Sequence, residues 1–133
     1  MKRLLIGLLL AMFLGACTSA GVPQTDTTEG ARIAAKVYYE ALANGQYEQF
    51  LNGREYAQDM LEDYRRQMVE GYQQFMRQQR QAHGDIVSIE ATEAIADTSL
   101  HVVQVMLSIG FSDNLHEEIV VPMVFDGEQW LMH

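Results

Sequence analysis

Cysteine, proline, tryptophan and basic residues are all scarce in this sequence of 133 residues. Its single cysteine excludes a disulfide within one chain and a metal site built from several thiolates. Nine lysines and arginines stand against 18 aspartates and glutamates, and the resulting net charge of −9 disfavours nucleic acid and anionic lipid surfaces as partners. After residue 14, no apolar run is long enough to span a membrane.

The first 17 residues follow the order of a bacterial export signal. Two basic residues, 2–3, precede an apolar stretch over 4–14, which is too short for a permanent membrane-spanning helix but fits a signal peptide. The stretch ends in LGAC, residues 14–17, which resembles the lipobox that is cleaved before a lipidated cysteine. Residues 1–16 are therefore predicted to be a lipoprotein signal peptide, with lipidation at Cys17. The alternative is an ordinary secretory signal followed by a chance cysteine.

Residues 17–26 are predicted to form the lipidated N-terminus and a flexible tether, because they are small and polar and include a proline. The lipid would then anchor the chain, since the acidic remainder has no basic patch to attract a membrane surface. Thr18 stands where an aspartate would signal inner-membrane retention in enteric bacteria. This favours the outer membrane, facing the periplasm.

Hydrophobic periodicity predicts helices in the first half of the remaining chain. From Asp26, a predicted N-cap with Glu29 at capping-box spacing, apolar residues recur at helical spacing up to a stop at residues 44–45. A short helical turn is predicted at 47–51 and a long helix over 52–82. The residues predicted to face the core are Ile33, Val37, Tyr38, Ala41 and Leu42, then Tyr56, Met60, Tyr64, Met68, Tyr72, Phe75 and Met76.

After Gly84 the apolar period changes from 3.6 to 2, which predicts antiparallel strands. The predicted strands are 86–94, 100–111, 115–125 and 129–132, separated by turns rich in Asp, Asn and Gly. Helices followed by a meander of strands favour an α+β fold, with the N-terminal helices packed on one face of a curved antiparallel sheet.

Two segments carry a resemblance to a known superfamily. YEALANGQY at 39–47, followed by a long helix, hairpins and a closing DGEQW at 126–130, resembles the nuclear transport factor 2-like, or cystatin-like, superfamily, and within it small lipoproteins of unknown function. The resemblance covers residues 27–133 and implies a cone-shaped cavity between helices and sheet. Some members use this cavity for acid–base catalysis, while others use it as a binding pocket or interaction platform, and fold alone does not choose among these uses.

The candidate pocket residues are His101, Glu117, Tyr64 and Tyr72. Catalysis in the cone would require two ionisable groups that converge, but His101 and Glu117 lie nearly a strand length apart in the predicted register. A histidine at the rim and a solvated glutamate are therefore favoured over a catalytic pair. Tyr64 and Tyr72 belong to a helical stripe that is more often ordinary core than ligand pocket.

No metal, cofactor or catalytic residue is predicted. His101, His116 and His133 lack the close helical spacing of a preformed metal site. Ser/His/Asp constellations and glycine-rich phosphate loops are also absent from the sequence.

The second and third predicted strands have apolar residues on both faces, although a sheet with one face in water should be polar there. Val102, Met106, Val120 and Val124 fall on the face turned away from the helices, with Met106 opposite Val120 and Val102 opposite Val124. We interpret them as an interaction patch for a homodimer or for a partner protein of the envelope. An incidental apolar surface is the alternative.

Two classes of function remain open. One is a membrane-tethered periplasmic binding or protein-interaction module; the other is a small cone-fold enzyme or apolar ligand carrier. The lack of a catalytic motif favours the module. The lining of the cone discriminates between them, because converging ionisable groups would favour an enzyme and a filled apolar interior would favour the module.

Substitution of Cys17→Ala is expected to abolish membrane association, because no other apolar segment or basic surface of the mature chain can hold it there. Fractionation of cells and partitioning into detergent measure the effect. A variant that still pellets with membranes as the wild type does would contradict lipidation at this residue.

Overall fold

The computed structural model describes residues 25–133, which form three α-helices and a four-stranded antiparallel sheet of order β1-β2-β3-β4. The elements are α1 (Thr28–Ala43), α2 (Tyr47–Asn52), a short 3₁₀ turn (Ala57–Asp59), α3 (Glu62–His83), β1 (Ile86–Asp97), β2 (Val102–Phe111), β3 (His116–Phe125) and β4 (Trp130–Met132). The α+β prediction is confirmed. The predicted signal peptide, Cys17 and nearly all of the tether lie outside the described residues. Within 25–133, no helix has the length and apolar character needed to cross a membrane.

Helix α1 begins one residue later than the capping pattern predicts. Thr27, not Asp26, is the N-cap, and its hydroxyl accepts a hydrogen bond of 2.9 Å from the backbone N–H of Gly30. A threonine in this role satisfies one of the unpaired N–H groups of the first turn.

The buried face of α1 agrees only in part with the predicted stripe. Ala41 and Leu42 are buried as predicted and Tyr38 is half-buried, but Ile33 and Val37 are exposed, and the other apolar residues buried against the sheet are the small Ala31, Ala34 and Ala35. Both sets recur at helical spacing, so periodicity could not separate them. Small side chains allow the helix to lie close to the sheet, and the larger apolar residues on the neighbouring stripe remain in solvent.

The long helix begins at Glu62, ten residues after the predicted start, because the chain between α2 and α3 is held by the last strand. The backbone N–H of Met132 donates to the carbonyl of Gly53 at 2.7 Å, and the N–H of Glu55 donates to the carbonyl of Met132 at 3.0 Å. Arg54 therefore pairs with β4 in extended backbone, as a parallel bridge to Met132. Tyr56 and Met60 lie in the following turn and not in the helix.

Helix α3 buries little of its surface. Of its residues, only Met76 is buried, while Tyr64 and Phe75 on the predicted core stripe are exposed. The prediction that this whole stripe forms core is therefore wrong. A helix that packs through so few residues forms a wall over the sheet and leaves space beneath it.

The register of the sheet agrees with the prediction, with Met106 opposite Val120 and Ile109 opposite Glu117. The inward side chains of β2 and β3 form the centre of the core, and Val105, Leu107 and Met123 are completely buried. Strand β2 starts at Val102 and not at residue 100, because the Asp97 carboxylate accepts backbone hydrogen bonds that hold a turn over 98–101.

Trp130 of β4 ties the beginning of the described chain to the sheet. Its indole N–H donates to the carbonyl of Thr25 at 2.6 Å, and its own carbonyl accepts a hydrogen bond from the Tyr38 hydroxyl at 2.6 Å. Gly30 permits this approach, because a Cβ there would lie 2.2 Å from the Thr25 carbonyl. The chain that precedes residue 25 thus joins the domain next to β4.

Two adjacent residues of α3 test how it packs. Met76 is 4 % exposed and Phe75 is 51 % exposed. We expect Met76→Ala to lower the free energy of unfolding by about 2–4 kcal/mol, since it leaves a cavity in the core. Phe75→Ala should cost less than about 1 kcal/mol, as for most surface changes. Denaturant titration of both variants provides the comparison, and equal losses would contradict this packing.

Candidate functional site

A cavity of about 320 Å³ lies between the helices and the concave side of the sheet. Its walls come from all three helices, from the segment after α2 and from β1, β2 and β3. Most of the lining is aliphatic or aromatic, and it includes Leu42, Phe50, Met76, Ile109, Phe111 and Ile119. The cone that the superfamily resemblance implies is therefore present as an apolar pocket.

Three aromatic rings form one wall of this cavity. Tyr39 and Phe50 meet edge to face with centroids 5.1 Å apart, and Phe50 meets Tyr72 in the same way at 5.0 Å. This arrangement places the positive edge of one ring against the negative face of the next. Burial raises the pKa of the Tyr39 phenol, an effect that outweighs the opposing influence of Arg54. Burial thus favours the neutral form of this phenol.

Arg54 is the cation of the cavity wall. Its Nε–H donates to the Tyr72 hydroxyl at 3.0 Å, and its guanidinium carbon lies 5.4 Å from the centre of the Phe50 ring. Burial lowers the pKa of Arg54, but its hydrogen bond to Tyr72 and the nearby phenols outweigh this and leave the pKa above its usual value. Among residues 25–133 it forms no ion pair, and its Nη1 and Nη2 donate to no protein atom. The cavity thus contains a permanent positive charge whose two terminal NH₂ groups, with four N–H donors, are unused.

Gly53 fixes the position of Arg54. Its φ of −78° is available to any residue, so backbone conformation alone does not require glycine. The requirement comes from packing, because a Cβ at this position would lie 2.6 Å from the ring of Tyr38. Tyr38 is itself held by its hydrogen bond to Trp130. The backbone before Arg54 is therefore clamped between an aromatic ring and strand β4.

Two further polar side chains line the cavity. The buried Oε1 of Gln79 accepts no hydrogen bond from the described part of the chain. Glu117 is exposed at the start of β3, across from Ile109, and forms no ion pair within that part. Buried polar atoms usually have partners, so an unsatisfied acceptor indicates a place where a ligand donor would be accommodated.

The structure brings only two of the four predicted pocket residues to the cavity. Tyr72 and Glu117 line it. Tyr64 points away near the start of α3, and His101 lies in a separate depression next to Trp130. The predicted lack of a His101–Glu117 pair is consistent with this arrangement.

Sequence reasoning missed Arg54, Tyr39 and Gln79. Arg54 lay in the first turn of a helix that was predicted to begin at Asn52, and a basic residue at that position does not indicate a binding site. The available signal was Gly53, which ends α2 and removes Arg54 from the helical period.

The predicted interaction patch is smaller than expected. Val120 is 53 % exposed, and Met106 and Val124 are half-buried on the same outer face of the sheet. Val102 is only 7 % exposed, so its inclusion in an exposed patch was wrong. Glu93 of β1 lies opposite Met106 and brings a carboxylate to the edge of this face.

The lining of the cavity limits the chemistry that it can perform. None of its lining residues is Ser, Thr, Cys, Lys or His, so it presents no ordinary nucleophile for acyl transfer. Across residues 25–133, no three His, Cys, Asp or Glu side chains are grouped so that they could hold a metal ion. The arrangement is suited to binding an apolar molecule next to one fixed cation.

No family model and no curated protein matches the chain. A crystal structure from Campylobacter jejuni, described as that of a candidate NTF2-like transpeptidase, superposes with a TM-score of 0.54 and 13% sequence identity. The match covers 74% of this chain and 92% of that one. This similarity shows the fold alone: three helices on a four-stranded antiparallel sheet, in the NTF2-like arrangement.

Gly53→Ala is expected to destabilise the domain by about 1–3 kcal/mol, because the added methyl group overlaps the restrained ring of Tyr38. Gly71 provides a matched control, since it lies within α3 and a Cβ there would meet nothing within 4 Å. Gly71→Ala should stabilise by about 0.5–1 kcal/mol through helix propensity. Thermal unfolding of both variants measures the effects, and a neutral Gly53→Ala would show that the clamp does not restrain Arg54.

Proposed function

We propose that this protein is a lipid-tethered module of the bacterial cell envelope that binds a small, largely apolar molecule in the cavity between its helices and its sheet. The single observation that carries the proposal is the cavity itself, with its aromatic and aliphatic walls. Of the two classes that the sequence left open, this proposal favours the ligand carrier.

The size and composition of the cavity support a ligand-binding role. Its volume of about 320 Å³ lies within the range of pockets that take small molecules, and it is roughly twice that of an apolar cavity that holds benzene. The interior is neither filled with side chains, as a purely structural core would be, nor lined by a pair of converging catalytic groups. The absence of a nucleophile among the lining residues argues against carrying a transpeptidase activity over from the Campylobacter jejuni protein.

The tether and the location belong to the proposal on sequence grounds. The signal-like segment 1–16 and the lipobox-like cysteine would place the domain at a membrane surface, with residues 17–26 as the lipidated N-terminus and flexible tether. Thr25 is held on the side of the domain that carries β4, because its carbonyl accepts the hydrogen bond from the Trp130 indole. Such a module would hold its ligand in the periplasm, close to the outer membrane.

A protein-interaction role of the outer sheet face is a second candidate. Its support is the exposed Val120 next to the half-buried Met106. A homodimer through this face would bring Glu93 and Glu118 of both copies together, since they border these two residues. Docking of an envelope protein with a complementary basic rim is therefore the more favourable form of this candidate.

Two neighbouring residues of β3 allow a matched test of the cavity. Ile119 points into it and Val120 points to the outer face. In the mature chain carrying Cys17→Ala, 1-octanol at about ten times its dissociation constant should raise the free energy of unfolding by about 1.4 kcal/mol. Ile119→Phe should weaken octanol binding by about tenfold or more, since the added ring competes for the same space. Val120→Phe should leave binding unchanged.

Calorimetric titration and thermal unfolding measure these effects, with circular dichroism as the check that each variant is folded. Equal loss of octanol binding in both variants would contradict the cavity as the ligand site.

A further inference from the structure

We propose that the ligand of this cavity is an amphipathic carboxylic acid, whose carboxylate pairs with the guanidinium of Arg54 while its apolar part occupies the space above the sheet. This inference rests on the ligand-binding function proposed above and specifies the chemical class of the ligand. Nothing in the walls other than Arg54 supplies a positive charge.

Arg54 lacks a charged partner among the described residues. A half-buried cation is costly unless an anion or several acceptors replace its lost hydration. In the described part of the chain, the guanidinium of Arg54 contacts only the Tyr72 hydroxyl, through a hydrogen bond, and the face of the Phe50 ring, and neither group carries a charge. A carboxylate brought in by a ligand would supply the missing counter-charge.

The orientation of the guanidinium also suits a carboxylate. The Nε–H of Arg54 is already used by Tyr72, and this bond fixes the plane of the guanidinium. The pair Nη1 and Nη2 remains, and this edge matches the two oxygens of a carboxylate in a bidentate arrangement. A planar anion of a single charge fits this edge.

The charges around the cavity favour a monoanion over a dianion. The cavity has one cation, and it also has Glu117 on its lining. The whole chain is strongly acidic, with a net charge of −9. A dianion such as a phosphate monoester would therefore be repelled more strongly than a monoanion, and a monoanion with an apolar body gains from both the guanidinium and the walls.

Gln79 extends the recognition along the same helix. It lies seven residues after Tyr72, so both side chains project from the same face of α3 into the cavity wall. Its unsatisfied Oε1 would accept a hydrogen bond from a hydroxyl or amide N–H of the ligand. An acid with such a group along its chain would pair with Arg54 through its carboxylate and donate a hydrogen bond to Gln79.

The test compares octanoate with 1-octanol, which have the same chain length and differ in charge. In the mature chain carrying Cys17→Ala, octanoate should bind about tenfold or more tightly than octanol at neutral pH, as expected for charge-assisted hydrogen bonds. Acetate, which keeps the carboxylate and lacks the chain, should not bind measurably. Titration calorimetry measures all three.

Substitution of Arg54 should remove this preference. We expect Arg54→Met to weaken octanoate by about tenfold or more and to leave octanol nearly unchanged. Arg54→Lys keeps the charge without the planar edge and should recover only part of the loss. Arg66→Met is the matched control, because Arg66 is an exposed arginine of α3 outside the cavity and its removal changes the net charge equally.

The outcomes separate this inference from the proposed function. If folded wild-type protein binds neither octanoate nor octanol, the ligand-binding function itself fails. If it binds both with equal affinity, or if Arg66→Met reduces octanoate as much as Arg54→Met does, the carboxylate inference is overturned and the cavity remains a neutral ligand site. The wild-type comparison requires no substitution, so it decides the question even if an Arg54 variant does not fold.

Discussion

The backbone pairing between residues 53–55 and the short last strand is the contact on which the rest of the site depends. It uses both the N–H and the carbonyl of Met132, and Gly53 makes it possible by admitting the Tyr38 ring against the chain. The pairing follows the end of α2 at Asn52, separates it from α3, which begins at Glu62, and sets Arg54 against Phe50 and Tyr72.

Unequal packing of two helices on the sheet explains why space remains between the layers. Because α1 packs through alanines, it lies close to the sheet, whereas α3 is attached mainly through Met76 and the aromatic rings around Phe50. One helix thus closes the core and the other stands as a wall over it. The edge-to-face contacts of Tyr39, Phe50 and Tyr72 hold one wall of the apolar volume between them. Such a shape is costly for a core but useful for a pocket.

The sequence was sufficient for the elements with strong periodicity and not for those set by long-range contacts. The strands and the Met106–Val120 register followed from alternation and turn residues, which are local properties. The start of α3 and the role of Arg54 depend on Met132, almost eighty residues away, and no local pattern reports this contact. Ile33 and Val37 were misassigned to the buried face of α1 because neighbouring stripes of apolar residues share one helical period. Val102 was misassigned to the exposed patch because alternation along a strand predicts the face on which a side chain lies but not whether that face is covered.

Nuclear Overhauser effects between a bound acid and the protein measure most directly whether a ligand enters between the helices and the sheet. With octanoate added to protein labelled at its methyl groups, chain protons of the ligand should show cross-peaks to Met76, Ile109 and Ile119, which line the cavity. The same spectra contain signals from Met106 and Val120 on the opposite face of the sheet. Cross-peaks confined to those two residues would place the ligand outside and contradict the assignment of the cavity as the binding site.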